Sequence, residues 1–96
     1  MTDTGSAPRW SRVSSIVQRA VGSDAFLVDP QSDALFHLNP LGAALWNLLE
    51  QPVSLEEAAS VVAAAFPEQP AGALREDTAR LFRELANCGL IRAAPE

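Results

Sequence analysis

Two residues could carry chemistry of their own, the single histidine His37 and the single cysteine Cys88. Nucleophilic and acid–base catalysis both need a reactive group with a positioned partner. His37 is predicted on a strand and Cys88 at the far end of the last helix, so nothing fixes them together. One histidine and one cysteine also cannot complete a usual four-ligand zinc site. We therefore expect a protein that is not an enzyme and that uses no metal or other cofactor.

Each of these two residues has a plainer interpretation. His37 could contact a ligand or sense pH, or it could be an exposed strand histidine without a role. Cys88 could be a reactive thiol, but a small buried core residue near a helix end is the expectation. With one cysteine in the chain, an internal disulfide is excluded.

Length and composition predict one globular domain. The chain has 96 residues, of which 48% are hydrophobic and 20% charged, enough for one modest core. Residues 1–9 are predicted as a flexible tail and residues 10–96 as the domain. The segment MTDTGSAPRW does not read as a secretory signal, and no apolar run approaches the roughly 20 residues that span a bilayer. We expect a cytoplasmic protein that does not bind membranes.

The first half of the chain is predicted to form strands. Three short runs, at residues 15–21, 25–29 and 34–38, are separated by the turn-forming segments Gly22-Ser23-Asp24 and Pro30-Gln31-Ser32-Asp33. Short strands at such tight spacing predict a small antiparallel meander.

The second half predicts three helices. Asn39-Pro40 is a typical helix start, and the first helix is expected to end near Glu50. Ser54 and Glu57 form a capping-box pattern that opens the second helix. The third helix is predicted over residues 71–88, with Gly89 as the residue that ends it in a left-handed conformation. The fold class is thus α+β, a winged-helix-like domain with an N-terminal three-stranded antiparallel sheet followed by three helices.

The third strand is a candidate binding edge. It contains no Pro, Lys or Arg, which are the residues that protect an edge strand from pairing with another chain. Strand alternation puts Phe36 and Leu38 on one face, and Leu35 and His37 on the other. An exposed strand edge is a template for an added peptide strand.

The third helix offers a second candidate surface. Its predicted buried stripe consists of Leu74, Thr78, Leu81, Leu85 and Cys88. Phe82 lies beside this stripe, on a strip with Arg75, Ala79 and Ala86, which we interpret as the floor of a groove. Phe82 would then anchor a peptide side chain, and Phe82→Ala would weaken binding with little loss of stability; the alternative is a core aromatic.

Charged side chains are expected on both flanks of the third helix. Arg75 could attract an acidic peptide segment. The opposite flank of the third helix, with Asp77, Arg80 and Glu84, is predicted to be a mixed-charge solvent face.

An ordered set of motifs between residues 17 and 91 resembles the PqqD-like family. The motifs are Phe26-Leu27-Val28-Asp29, Phe36-His37-Leu38-Asn39 with Gly42 and Trp46, Ser54-Leu55-Glu56-Glu57-Ala58, Phe66-Pro67, Asp77-Thr78, Leu81-Phe82, Leu85 and Gly89-Leu90-Ile91. The family includes pyrroloquinoline quinone (PQQ) biosynthesis protein D and related modules called RiPP recognition elements.

The resemblance implies a non-catalytic peptide chaperone. Such a module binds the leader of a ribosomally made precursor peptide by β-strand addition and presents it to a modifying enzyme, often a radical SAM protein. The peptide would lie against the third strand, beside the third helix. The expected peptide-binding residues are Leu35, Phe36, His37, Leu38, Arg75, Thr78, Ala79 and Phe82.

Two other functions stay open, and so does the oligomeric state. A winged-helix fold could bind DNA, but the net charge of −5 and the balanced charges of the third helix argue against a nucleic-acid partner. The chain could instead be a docking subunit of a modifying enzyme without its own peptide site. An exposed edge strand would also let two copies pair as a homodimer.

Overall fold

A computed structural model describes residues 8–94 and shows six strands and three helices within them. In chain order they are β1 (Arg9–Arg12), β2 (Val17–Val21), β3 (Asp24–Asp29), β4 (Ala34–Leu38), α1 (Pro40–Leu48), β5 (Val53–Ser54), α2 (Leu55–Ala65), α3 (Ala71–Asn87) and β6 (Ile91–Ala93). The predicted α+β class is confirmed, with an antiparallel three-stranded sheet, β2-β3-β4, ahead of the three helices.

Two tight turns set the register of this sheet. Val21 pairs with Asp24 across a two-residue turn, and Gly22 takes a φ of 63° there, the left-handed region that glycine adopts freely. Between β3 and β4, Asp33 has a φ of 60°, and its N–H donates to the Asp29 carbonyl at 2.7 Å. Aspartate tolerates this conformation better than most residues. Both turns lie where the sequence predicted them.

A second sheet was not predicted. Strand β1 lies at its centre, between β5 and β6, and pairs antiparallel with both. These strands contain only four, two and three residues, too few to show a two-residue periodicity. The predicted tail of residues 1–9 falls mostly outside the described residues, but Arg9 is already the first residue of β1 and pairs with Ser54.

The helix caps follow the predicted chemistry. The Asn39 side chain accepts the Gly42 N–H at 2.8 Å at the start of α1, where Pro40 is the first helical residue. At α2, the Ser54 hydroxyl accepts the Glu57 N–H, and the Glu57 carboxylate accepts the Ser54 N–H, both at 3.1 Å. Gly89 ends α3 with a φ of 75°. These local bonds satisfy backbone groups that the ends of a helix leave unpaired.

The buried stripe of α3 differs from the predicted one at two positions. Phe82 is buried and takes the place expected for Leu81, which is only half-buried. Cys88 was expected in the core but is exposed, because α3 ends at Asn87 and Cys88 is its C-terminal cap. The observed stripe is Leu74, Thr78, Phe82 and Leu85.

The core lies between the inner face of β2-β3-β4 and the three helices. Its central side chain is Trp46 of α1, which is fully buried and has the Arg12 guanidinium 5.1 Å above its ring. Leu90 and Ile91 fold back onto the core as expected. The buried hydrophobic residues are Ala25, Leu27, Leu38, Leu45, Trp46, Leu49, Ala58, Val62, Leu74, Phe82, Leu85, Leu90 and Ile91. Within residues 8–94, none of the helices combines the length and the apolar character that crossing a bilayer requires.

The capping box makes a testable contribution to stability. Ser54→Ala removes the side-chain acceptor at the start of α2 and is expected to lower the free energy of unfolding by about 1 kcal/mol. Ser60→Ala, at an exposed position inside the same helix, is the matched control and should be near neutral. Urea denaturation measures both, and equal losses would contradict the cap's role.

The same box predicts a dependence on pH. The Ser54 N–H, and then the Arg9 guanidinium 3.0 Å away, hold the pKa of Glu57 below its usual value of 4.5. Because the folded-state pKa is the lower one, the stabilisation is present above pH 4.5 and is lost as the pH falls through the folded-state value. Urea denaturation at several pH values should show wild type more stable than Glu57→Gln at pH 7, with the difference shrinking in acid. A difference that grows in acid would refute this.

Candidate functional site

Strand β4 forms one edge of its sheet. The strand order is β2-β3-β4, and β4 pairs only with β3 in the part of the chain that the structure describes. Its five residues, Ala34–Leu38, match the predicted third strand at both ends. The outer side of β4 therefore has no strand beside it among residues 8–94.

The turn geometry shows which backbone groups of β4 point outwards. Residues that flank a two-residue hairpin turn bond to each other, so Val21 and Asp24 form a hydrogen-bonded pair. Alternation along β3 then directs Ala25, Leu27 and Asp29 towards β4, where they pair with Leu38, Phe36 and Ala34. The two remaining residues of β4, Leu35 and His37, direct their N–H and C=O groups away from the sheet. An added strand would find two donors and two acceptors there.

A groove runs along this edge. It has a volume of about 360 Å³ and is open to solvent. Three elements line it, namely the end of β4, the start of α1 and the middle of α3. The lining residues are Phe36, His37, Leu38, Asn39, Leu41, Gly42, Asp77, Arg80, Leu81 and Glu84. Since Phe36, His37 and Leu38 are successive residues whose side chains alternate in direction, the groove follows the strand edge rather than one face of the sheet.

Close packing at the β4–α1 junction shapes one wall of the groove. Gly42 is buried, and a Cβ atom placed on it would lie 3.1 and 3.2 Å from two side-chain carbons of Leu38. Leu38 is itself in the core, so a side chain at residue 42 would press against it, and glycine allows the first turn of α1 to approach the end of β4 without that pressure. This approach explains a glycine that otherwise lowers helix propensity.

The flank of α3 that faces the groove is the charged one. Asp77, Arg80 and Glu84 were predicted to face solvent away from the binding surface, and the structure instead places them in the groove wall with Leu81. Arg80 is paired with Asp77 at 2.7 Å. The wall therefore combines one apolar side chain, one internal ion pair and one further carboxylate.

His37 and Leu35 direct their side chains to the outer face of the sheet. The His37 Nε2 lies 2.8 Å from the Asp24 Oδ2, and the ring packs 5.0 Å from that of Phe26, its direct partner across the ladder. The Leu35 side chain is 66% exposed. Because the ring of His37 is engaged on the outer face, we infer that it borders the groove through its backbone.

Four of the residues expected in the site lie elsewhere. Arg75 forms an ion pair with Glu56 of α2, and Ala79 follows Arg75 by one helical turn. Thr78 is fully buried, and its hydroxyl donates to the Leu74 carbonyl at 2.7 Å. Phe82 is only 5% exposed and belongs to the core. These residues therefore line the α2 side and the core side of α3, not the groove beside β4.

The helical period of α3 does not locate the groove wall. Leu81 and Phe82 are neighbours, and either completes an apolar stripe with Leu74 and Leu85 at helical spacing. Placing the larger ring in the core moves the centre of the stripe by only about 30–40°, because Leu74, Thr78 and Leu85 stay buried. The period therefore does not show whether the flank with Asp77 and Glu84 or the flank with Arg75 borders β4.

The described residues bring together no metal-binding cluster. Within residues 8–94, no group of three or more His, Cys, Asp or Glu side chains is arranged to hold an ion. What the groove offers is an unpaired backbone edge, a few apolar side chains and charge. This is the chemistry of a binding surface for an extended chain.

The fold and the groove define an α+β domain with an open strand edge beside a long helix, and comparison with known proteins gives its family. The chain belongs to the PqqD family, because residues 24–91 match the model of "Coenzyme PQQ synthesis protein D (PqqD)". The predicted resemblance is thereby confirmed. Among curated proteins, none matches the sequence significantly.

A solved structure shares this fold. It is that of TbiB1 in complex with the TbiA(beta) leader peptide, with a TM-score of 0.75 and 22% sequence identity. The match covers 90% of this chain and 99% of the TbiB1 chain. The family match begins at Asp24, whereas the structural match takes in nearly the whole domain.

The placement of Leu81 and Phe82 predicts different effects for two adjacent substitutions. Phe82→Ala should lower the free energy of unfolding by about 3–5 kcal/mol because it leaves a cavity in the core. Leu81→Ala should cost only about 1 kcal/mol because that side chain is half-buried at the groove. Urea denaturation of the two variants decides this, and a larger loss for Leu81→Ala would show that Leu81, not Phe82, is the core residue.

Proposed function

We propose that this protein binds the leader segment of a ribosomally made precursor peptide by adding it as a strand to the free edge of β4. The observation that carries the proposal is the outer edge of β4 at Leu35 and His37, which has no paired strand among residues 8–94 and runs along a groove closed on its far side by α3. A peptide lying there would gain main-chain hydrogen bonds from β4 and side-chain contacts from the groove.

The comparisons support this proposal from a separate direction. Membership of the PqqD family and a fold shared with a protein solved in complex with a leader peptide both favour the role of a RiPP recognition element. TbiB1 shares 22% of its residues with this chain. At this level of identity only the fold is shared, and the side chains that would contact a peptide here are those of this chain's own groove.

The proposed role is binding without catalysis. The one histidine of the chain is engaged with Asp24 on the outer face of the sheet, and the one cysteine lies at the end of α3. A binding module of this kind would hand the peptide to a separate modifying enzyme, for which a radical SAM protein is our proposal. We place the encounter in the cytoplasm, where a ribosomally made precursor is released.

The alternative of DNA binding has less support. Two of the three arginines on α3, Arg75 and Arg80, are already paired with the carboxylates of Glu56 and Asp77. The whole chain has a net charge of −5, which opposes the approach of a phosphate backbone. A mobility-shift assay at low salt that showed tight binding would reverse this ranking.

A docking subunit without a peptide site makes a different prediction from ours. Such a subunit would bind the modifying enzyme but no isolated peptide. Strand addition should give the protein alone micromolar or tighter affinity for a suitable extended peptide. The same free edge also allows a homodimer through β4. Sedimentation at rising protein concentration would detect such a dimer, and peptide binding should weaken as the dimer forms.

Strand addition can be tested by blocking one backbone donor. Leu35→Pro removes an outward N–H from β4 while leaving the bonds to β3 in place, and should weaken peptide binding about tenfold. The ligands are peptides selected on the wild-type protein from a random ten-residue phage-display library, and fluorescence anisotropy measures their affinity.

The matched control lies on the opposite edge of the same sheet. By the same alternation, Ala20 of β2 directs its N–H outwards, so Ala20→Pro carries an equal backbone penalty far from the groove and should leave binding unchanged. N-methylation of alternate peptide residues should abolish binding in one register and spare it in the other. Equal loss for both proline variants, with no alternation in the methylated peptides, rules out strand addition.

A further inference from the structure

The groove wall on α3 contains a carboxylate, that of Glu84, which forms no ion pair among residues 8–94. Asp77, Arg80 and Glu84 lie on successive turns of one flank. Arg80 pairs with Asp77 at 2.7 Å, and among residues 8–94 no cation is in ion-pair contact with Glu84. With His37 neutral, the charged residues that line the groove have a net formal charge of −1.

Two basic residues that were expected in the site, His37 and Arg75, are engaged elsewhere. The His37 ring faces Asp24 on the outer side of the sheet, and Arg75 faces Glu56 on the far side of α3. Arg75, which was expected to attract an acidic peptide, does not line this groove. The charged side chains that do line it are net negative, which favours a basic peptide segment.

The rest of the wall is apolar. Phe36, Leu41 and Leu81 are each half-buried and line the groove, so each retains surface that a bound chain could cover. In a strand added to β4, side chains alternate in direction, and every second one points towards α1 and α3. These inward side chains would meet both the apolar patch and Glu84.

We propose that the groove selects an extended peptide with apolar side chains at alternate positions and a lysine or arginine among the same inward-facing set, opposite Glu84. The inference rests on the proposed strand addition and specifies its ligand. An arginine suits the site best, because its planar guanidinium can bond both carboxylate oxygens. The basic residue also reduces non-cognate binding, since an acidic side chain at that point would face Glu84.

The experiment compares peptide selection by three forms of the full chain. The random ten-residue phage-display library is selected on the wild-type protein, on Glu84→Gln and on Glu76→Gln. Glu76 is an exposed carboxylate on the same helix that does not line the groove, so its variant controls for net charge alone. Thermal unfolding of each variant tests whether the fold is retained.

Wild type and Glu76→Gln should both enrich peptides with alternating apolar residues and one basic residue at a fixed offset. Glu84→Gln should keep the apolar alternation and lose the basic preference. A wild-type-selected basic peptide should bind Glu84→Gln about threefold to tenfold more weakly, and this difference should shrink at high salt.

The outcomes separate the two proposals. If Glu84→Gln enriches basic residues as strongly as wild type, or if wild type prefers acidic peptides, the role of Glu84 is wrong while strand addition stands. If the selected peptides show no alternation and bind Leu35→Pro as well as wild type, strand addition itself fails, and the Glu84 proposal fails with it.

Discussion

Hydrogen bonding on one side only is the constraint on which this structure depends. Strand β4 pairs with β3 and has no partner on its outer side within residues 8–94. The turn at Gly22 fixes which residues bond inwards, and so leaves the backbone groups of Leu35 and His37 facing out. Unpaired edge groups usually invite aggregation. Here α1 and α3 form walls beside that edge, which limits what can approach it.

The walls are held by interactions away from the groove. Asn39 caps α1 directly after β4, and Gly42 lets the two elements approach closely. On α3, Leu74, Thr78, Phe82 and Leu85 are buried together, and this leaves the flank with Asp77, Arg80 and Glu84 beside β4. The side chains that α3 presents to the groove thus depend on core residues that do not line it.

Local signals in the sequence were sufficient for much of the fold. The Asn39-Pro40 start, the Ser54–Glu57 capping box and the Gly89 stop each involve bonds within a few residues, and all three are present. The β4 edge was also predictable from its composition. The second sheet could not be predicted from local signals, because its strands pair across long sequence separations. The flank of α3 that borders the groove was not predictable, because Leu81 and Phe82 both fit the apolar period and the period does not say which side of the helix faces β4.

The central position of β1 brings the two ends of the described chain together. The Ala94 N–H donates to the Arg9 carbonyl at 2.7 Å, and β1 pairs with β6 along its length. A second protein joined by a linker to either end would therefore be tethered at nearly the same point on this domain. Gene fusions in either order would give similar effective concentrations of an enzyme near the groove, set by linker length rather than by the order of the parts.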